Sequence, residues 1–591
     1  MKNFMRKIYK PVALCLAGYL MLTSSCNKYL EVTPVSSFDP SFVFDNVPNA
    51  TKAVLGAYAD LTGDQAYGIR VSMYYPYDND EMMGQGGTPY PDNERRDIAH
   101  YRANANNTQL AAPFAQLYNG IERANMCIYY IPKMNLYTNG TENDKKELRR
   151  LHGEALTLRA QYYLELLRNW GDLPAHFEPA FLETDLYKNK TDRDTIYNRL
   201  IADLAVAADL LPWRTQTSTK DERITQGAAR ALRARIALYR GGYALRKSRQ
   251  MERKADYLTY YKIARDECEI IMNRRGDHNL NPSYQSVFKD FVCARRVDTY
   301  GEIIWEVGMA GGSSAAGDSK LGYYNGPRWG STGNAALTVL PTYFYSFDSL
   351  DTRRDVMCAP YEFNTNGTFK ARPLQQMVDG KFRRDWMSNP VSISSVAQYF
   401  GLNWPLIRFS DVLLMYAEAE NELNSGPTAN AIAAVKEVRK RAFGNNTDPV
   451  TVPTAYQDFF AFVVKERSLE LGGEGHRKYD LIRWNLLATK LNETKQTLAD
   501  MAAKKAPWNT YPANMYFKNN STELIWSNSY YKPSTSAPSG YTSVAWIGTA
   551  INTTLVTYFA ESFTPNKSEL LPIPQSVLDA NKILTQDYGH N

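Results

Sequence analysis

The chain is poor in the signatures of catalysis. Its 591 residues include six histidines, and none stand at zinc-ligand spacing such as HExxH. No GxSxG elbow and no phosphate-binding P-loop occur. The six cysteines include no CxxC pair. After the N-terminal segment no apolar run reaches about 18 residues, the length that spans a bilayer. Net charge is small as well. The formal value is +6, and Lys2, Arg6, Lys7 and Lys10 lie in a segment expected to be removed, which leaves +2. A near-neutral surface is a poor counterpart for nucleic-acid phosphates. These absences predict no catalytic residue, no metal, no cofactor and no nucleic-acid partner.

What is plentiful is tyrosine: 41 residues, more than Phe (23) and Trp (10) together. Tyrosine has an apolar face and a polar tip, which suits wet interfaces as well as cores. The N-terminus is basic, MKNFMRKIYK, and continues into the apolar run PVALCLAGYLMLTSS. That is the build of a signal peptide, and Cys26 follows small residues as in a bacterial lipobox, with Thr23 where leucine is usual. The expectation is a removed signal over 1–25, lipidation of Cys26, and a polar tether over 26–47. Cys127, Cys268, Cys293 and Cys358 are widely spaced and read as small buried hydrophobes rather than disulfides.

Helical periodicity dominates the remainder. Phe114, Leu117, Ile121, Ala124 and Ile128 recur on one face, and patterns over 144–170, 194–211, 224–239 and 257–273 follow. The stretch LIRFSDVLLMYAEAENELNSGPTANAIAAVKEVRKRAFG, 406–444, reads as two helices divided at Asn424-Ser425-Gly426-Pro427. Its first helix has two apolar rows, so it packs between neighbours, with Leu413 covered and Glu418 more exposed. Glu418, Glu420 and Glu422 crowd a helix C-terminus and need cationic partners or water. Helix, turn, helix in about 39 residues is one tetratricopeptide-like unit. The texture predicts a helical-repeat region over 48–275 and a second region over 276–591 with loop insertions and a few short strands, including 302–307.

IRFSDVLLMYAEAENELN is similar to the signature helix of the SusD/RagB family of outer-membrane nutrient-binding lipoproteins. GEALTLRAQYYLELLRNWGDLP, KERSLELGGEGHRKYDLIRWN and SELLPIPQSVLDANKILTQDYG resemble further family segments in the family's order. The resemblance implies a mainly α, tetratricopeptide-like scaffold, lipid-anchored at the outer membrane and facing the exterior. It also implies a TonB-dependent, SusC-like transporter as partner and a glycan, sometimes a peptide, as ligand. It places the cluster Glu466, Arg467, Glu470, Glu474, His476, Arg477 and Asp480 in the scaffold, as an ion-pair network. Two carboxylates on one helix face do not flank a glycosidic bond across a cleft.

Two irregular stretches remain as ligand candidates. One, 71–102, mixes Gly, Pro and Asn with Tyr74, Tyr75, Tyr77, Asp78, Asn79, Asp80 and Tyr101. The other, 308–334, is Gly/Ser-rich and carries Tyr323, Tyr324, Asn325, Arg328 and Trp329. Rings to stack on a sugar's C–H face, beside polar groups for its hydroxyls, are the chemistry of a glycan site, and loops on rigid scaffolds commonly carry such sites. The competing readings are a peptide-binding member of the same scaffold class and a lipid-anchored glycoside hydrolase.

Overall fold

The computed structural model describes residues 40–85, 92–311, 314–330, 332–388, 395–444, 451–551 and 554–590. Cys26, the signal segment and most of the tether lie outside them, as does Tyr90. Among the described residues no helix is long and apolar enough to cross a membrane.

Consecutive helices pack on one another in a chain of antiparallel neighbours: Ala111–Tyr130, Glu142–Trp170, Arg193–Leu210, Gln226–Gly241 and Tyr257–Met272. The longest, Glu142–Trp170, starts in a capping box, with Thr141 and Asp144 each satisfying the other's backbone N–H. It is buried almost throughout from Leu148 onward, as a central helix must be. Tyr257–Met272 then packs on Phe409–Asn424, which packs on Ala429–Ala442 and on Tyr456–Leu471. The helical array therefore continues across residues 276–403, an excursion of loops and short strands. This is the mainly α, tetratricopeptide-like architecture expected.

Two boundaries and one exposure differ from expectation. Leu406 to Arg408 belong to a strand, Trp404–Arg408, paired antiparallel with Ile303–Val307. The helix starts at Phe409. All five residues of each strand are buried, so the stretch shows continuous apolarity instead of a period. Residues 342–354, whose sequence has a helical pattern, form two short helices, Pro341–Phe344 and Arg353–Met357, instead of one. Glu418 is buried. Its Oε2 accepts from Arg483 Nη2 at 2.8 Å, and its Oε1 accepts from Trp484 Nε1 at 2.9 Å. Glu420 and Glu422 meet Arg265 and Arg253, at 2.9 and 2.8 Å, the cationic partners their position requires.

The charged cluster is a buried lattice. Arg408 reaches Glu302 at 2.7 Å, Glu470 at 2.9 Å and Glu474 at 2.8 Å. Arg353 joins Asp351, Glu466 and Glu470, and Lys381 joins Glu474 at 2.7 Å. Burial alone would raise the Glu470 carboxyl, but Arg441, Arg408 and Arg353 hold it well below the usual carboxylate range. Cys127, Cys268, Cys293 and Cys358 are free and buried.

A small four-stranded sheet matters for function. Its order is Met82–Met83, Thr338–Val339, Val378–Asp379, Cys358–Ala359. Met82 pairs with Val339 and Met83 with Thr338, which ties the first irregular stretch to the end of the second.

Candidate functional site

The turn that presents the second stretch is anchored on the first. Lys320 N–H donates to Gly68 O, and Tyr323 and Tyr324 N–H both donate to Lys320 O. A Cβ at Gly68 would lie 2.4 Å from Asp318 O, so glycine is what permits this close approach. The π-helical turn Arg70–Tyr74 sits immediately beyond.

The result is one aromatic ridge built from both stretches. Tyr74 and Tyr324 meet edge to face, with centroids 6.3 Å apart at 83°, and Tyr324 meets Tyr323 at 5.3 Å and 89°. The Arg95 guanidinium carbon stands 5.8 Å from the Tyr74 and Tyr324 centroids alike, and Arg70 stands 5.8 Å from Tyr74. Arg95 Nε donates to Gln85 Oε1. Tyr399 closes one flank. Its hydroxyl donates to Asp64 Oδ2 at 3.0 Å, and Lys320 Nζ lies 4.8 Å over its ring. Partial burial, then Asp64, pushes the Tyr399 hydroxyl up to about 12. Burial first, then Tyr324, raises that of Tyr74. Tyr399 and Tyr74 are therefore neutral hydrogen-bonding groups at ordinary pH.

Several expected ligand residues belong to the scaffold instead. Tyr75 is fully buried, donates to Gln109 O at 2.8 Å and packs edge-on against Trp170. Tyr77 is buried, with its hydroxyl directed at Gly473 O. Asp78 accepts from Gly84 N at 2.7 Å and Ala560 N at 2.8 Å, and pairs with His100 Nδ1 at 2.8 Å. Asn79 caps its own turn through Glu81 N and Met82 N. Asp80 holds Arg477 in a two-bond fork. Tyr101 is wedged between Phe563 and Lys478 and donates to Asp78 O. Asn325 is fully buried. Segments distant in sequence hold several of them: Lys478 Nζ donates to Tyr75 O, Gly473 O lies at Tyr77, Arg477 forks onto Asp80 and Ala560 N–H donates to Asp78, while the Asn325 amide is buried without a hydrogen-bond partner among the described residues.

Trp329 is half-buried and stacked on Phe363, at 4.9 Å and 29°, in a small satellite core with Tyr361 and Val378. Arg328 is half-buried and donates to Asn334 O at 3.0 Å. Asn334 N–H in turn donates to Tyr323 O, which ties Arg328 to the backbone that carries Tyr323. Of the twelve candidate residues, Tyr74, Tyr323, Tyr324 and Arg328 gather on the ridge, with Trp329 adjacent. Arg70, Arg95, Lys320 and Tyr399 complete it; they were not singled out from the sequence, although Arg95 and Lys320 lie within the two irregular stretches. A cleft of about 400 Å³ between Thr342 and Thr497 lies elsewhere; its one ring, Tyr343, is buried and bonded to Ser468 O.

A helical-repeat scaffold displaying an aromatic, arginine-flanked ridge is a binding architecture. Two family models match it in tandem: one described as starch-binding, associating with the outer membrane, over 28–238, and the SusD family over 358–590. The chain belongs to the SusD/RagB family. It is similar to the SusD-like protein P25 of Formosa agariphila, 25% identical over 78% of this chain and 88% of the relative. Among solved structures, a SusD homolog from Bacteroides thetaiotaomicron superposes with a TM-score of 0.74 at 23% identity, covering 93% of this chain and 98% of that one. Surface glycan-binding protein A from the same organism, in complex with laminarihexaose, gives 0.60 at 18% identity, covering 92% and 99%.

Proposed function

We propose that the protein captures an oligosaccharide at the cell surface on the Tyr74–Tyr324–Tyr323 ridge and passes it to a TonB-dependent transporter, without cleaving it. The observation that carries this reading is the meeting of the two irregular stretches in one set of rings flanked by donors, in which Tyr74 is buried and Tyr323 and Tyr324 are half-exposed. Its relatives support the ligand class, since a structural neighbour is described in complex with laminarihexaose. The buried carboxylates support binding over hydrolysis: Glu466, Glu470 and Glu474 are each held by cations inside the scaffold, far from the arrangement of an acid and a base around a scissile bond.

Anchoring through Cys26 fits the same reading. In cells lacking the transporter, Cys26→Ala should move the protein from the membrane to the soluble fraction; unchanged partitioning would remove the anchor. Ligand capture is tested by native electrophoresis through gels containing single polysaccharides. The wild type should be retarded by at least one, with no shortening of the polymer, and Tyr323→Ala/Tyr324→Ala should migrate as in a plain gel.

A further inference from the structure

Arginines in this protein normally have counter-charges. Arg408 has three carboxylates, and Arg353 three. Arg95 and Arg328 differ. Among the described residues neither has a carboxylate at ion-pair distance. Among the described residues Arg95 spends only Nε, on the amide oxygen of Gln85, and its two terminal nitrogens have no partner. Arg328 spends Nη2 on one backbone carbonyl, and its Nε is buried without a partner. The adjoining residues 86–91 and 331 contain no acidic side chain. The acids that do lie near the ridge are already engaged. Asp64 accepts from Tyr399 and stands 3.7 Å from Lys320 and 3.8 Å from Arg70. Glu94 accepts from Gln109 and Thr108.

Arg95 stands against the Tyr74 and Tyr324 rings, and Arg328 is joined to the Tyr323 backbone through Asn334. A planar guanidinium with open N–H groups matches a carboxylate or sulfate fork to fork, and such charge-assisted bonds are about twice as strong as neutral ones. A neutral sugar offers only hydroxyls to the same groups and leaves both charges uncompensated.

We propose that the ligand is an anionic oligosaccharide, bearing uronate carboxylates or sulfate esters, with Arg95 and Arg328 reading its charges; this rests on the ridge being the glycan site. The test is calorimetric titration of the full mature chain with two pairs of polymers, polygalacturonate against fully methyl-esterified pectin and carrageenan against its desulfated form, and with laminarin as a neutral polymer, each at about 50 and about 500 mM NaCl. At least one anionic polymer should bind at least tenfold more tightly than its uncharged counterpart and than laminarin, and should weaken severalfold in high salt. Arg95→Gln/Arg328→Gln should lose that preference with an unchanged melting temperature. Preference for carboxylate over sulfate, or the reverse, identifies which anion is read. Equal affinity for charged and uncharged polymers, an unaltered preference in the double variant, or no binding to either anionic polymer would overturn the proposal. In that last case laminarin binding that is lost in Tyr323→Ala/Tyr324→Ala would leave the ridge standing as a neutral-glycan site, whereas laminarin binding that survives would remove the ridge as well.

Discussion

Arg408 and Arg95 stand at nearly the same distance from a tyrosine ring, 5.9 Å from Tyr284 and 5.8 Å from Tyr324. Their surroundings differ. Arg408 is fully buried among Glu302, Glu470 and Glu474. Arg95 lies half-exposed beside an amide. An arginine over an aromatic ring is therefore no mark of function by itself. What separates the lattice from the ridge is whether the charge is already answered inside the chain.

Breaking the lattice should have the largest effect. Arg408→Met takes from Glu302, Glu470 and Glu474 the cation they share, leaving Arg441, Arg353 and Lys381 to balance them, and should cost about 3–5 kcal/mol in urea melts. A smaller loss would mean that water enters and compensates. Glu418→Ala leaves Arg483 with Asp480 alone and Trp484 Nε1 without its acceptor, and should cost about as much as Leu413→Ala, for which about 2–5 kcal/mol is usual for a buried leucine. A much milder effect for Glu418 would return it to the exposed face that its position in the helix suggests.

Trp329 tests the border between the two regions. It stacks on Phe363, so Trp329→Ala should lower stability by about 1–3 kcal/mol and weaken glycan binding less than the loss of Tyr324 does. Binding lost at full stability would move Trp329 onto the ridge proper.

The pH dependence sharpens the comparison from inside the scaffold. Burial pushes the Glu81 carboxyl up to about 8, against an ordinary 4.5, although Arg477 opposes it. A raised carboxyl favours folding while protonated, so its contribution is present below pH 4.5 and is lost as pH rises towards 8. Glu470, held low, contributes in the opposite sense: its stabilisation is present above the ordinary carboxylate range and is lost as pH falls through its depressed value. Glu81→Gln should therefore gain on the wild type by more than about 1 kcal/mol between pH 5 and pH 8, read as the difference in unfolding free energy. A constant difference would show that Glu81 stays ionised.

The helical array was legible because its signals are local. Periodicity, the capping Thr141 and the stop at Gly171 lie within each helix. The lattice was legible as a dense run of opposite charges over 466–483. The ridge and its neighbours were not, because they depend on partners far away in sequence. Asp78 and Asp80 look like surface loop residues until Ala560 and Arg477, nearly 400 or more positions later, satisfy them. Tyr74 and Tyr324 are 250 residues apart, and Tyr399 stands in a stretch with no period at all. Composition pointed to two aromatic stretches; only their approach through Gly68 and the Met82–Val339 pairing shows which rings remain outside.

The most direct measurement is the affinity of Tyr323→Ala/Tyr324→Ala for a polysaccharide that retards the wild type, with the melting temperature read on the same preparation. Each ring of a stacking platform contributes about 1–3 kcal/mol by analogy with stacked bases, so affinity should fall at least tenfold with little change in melting. Unchanged affinity in a folded double variant would contradict the ridge as the binding surface.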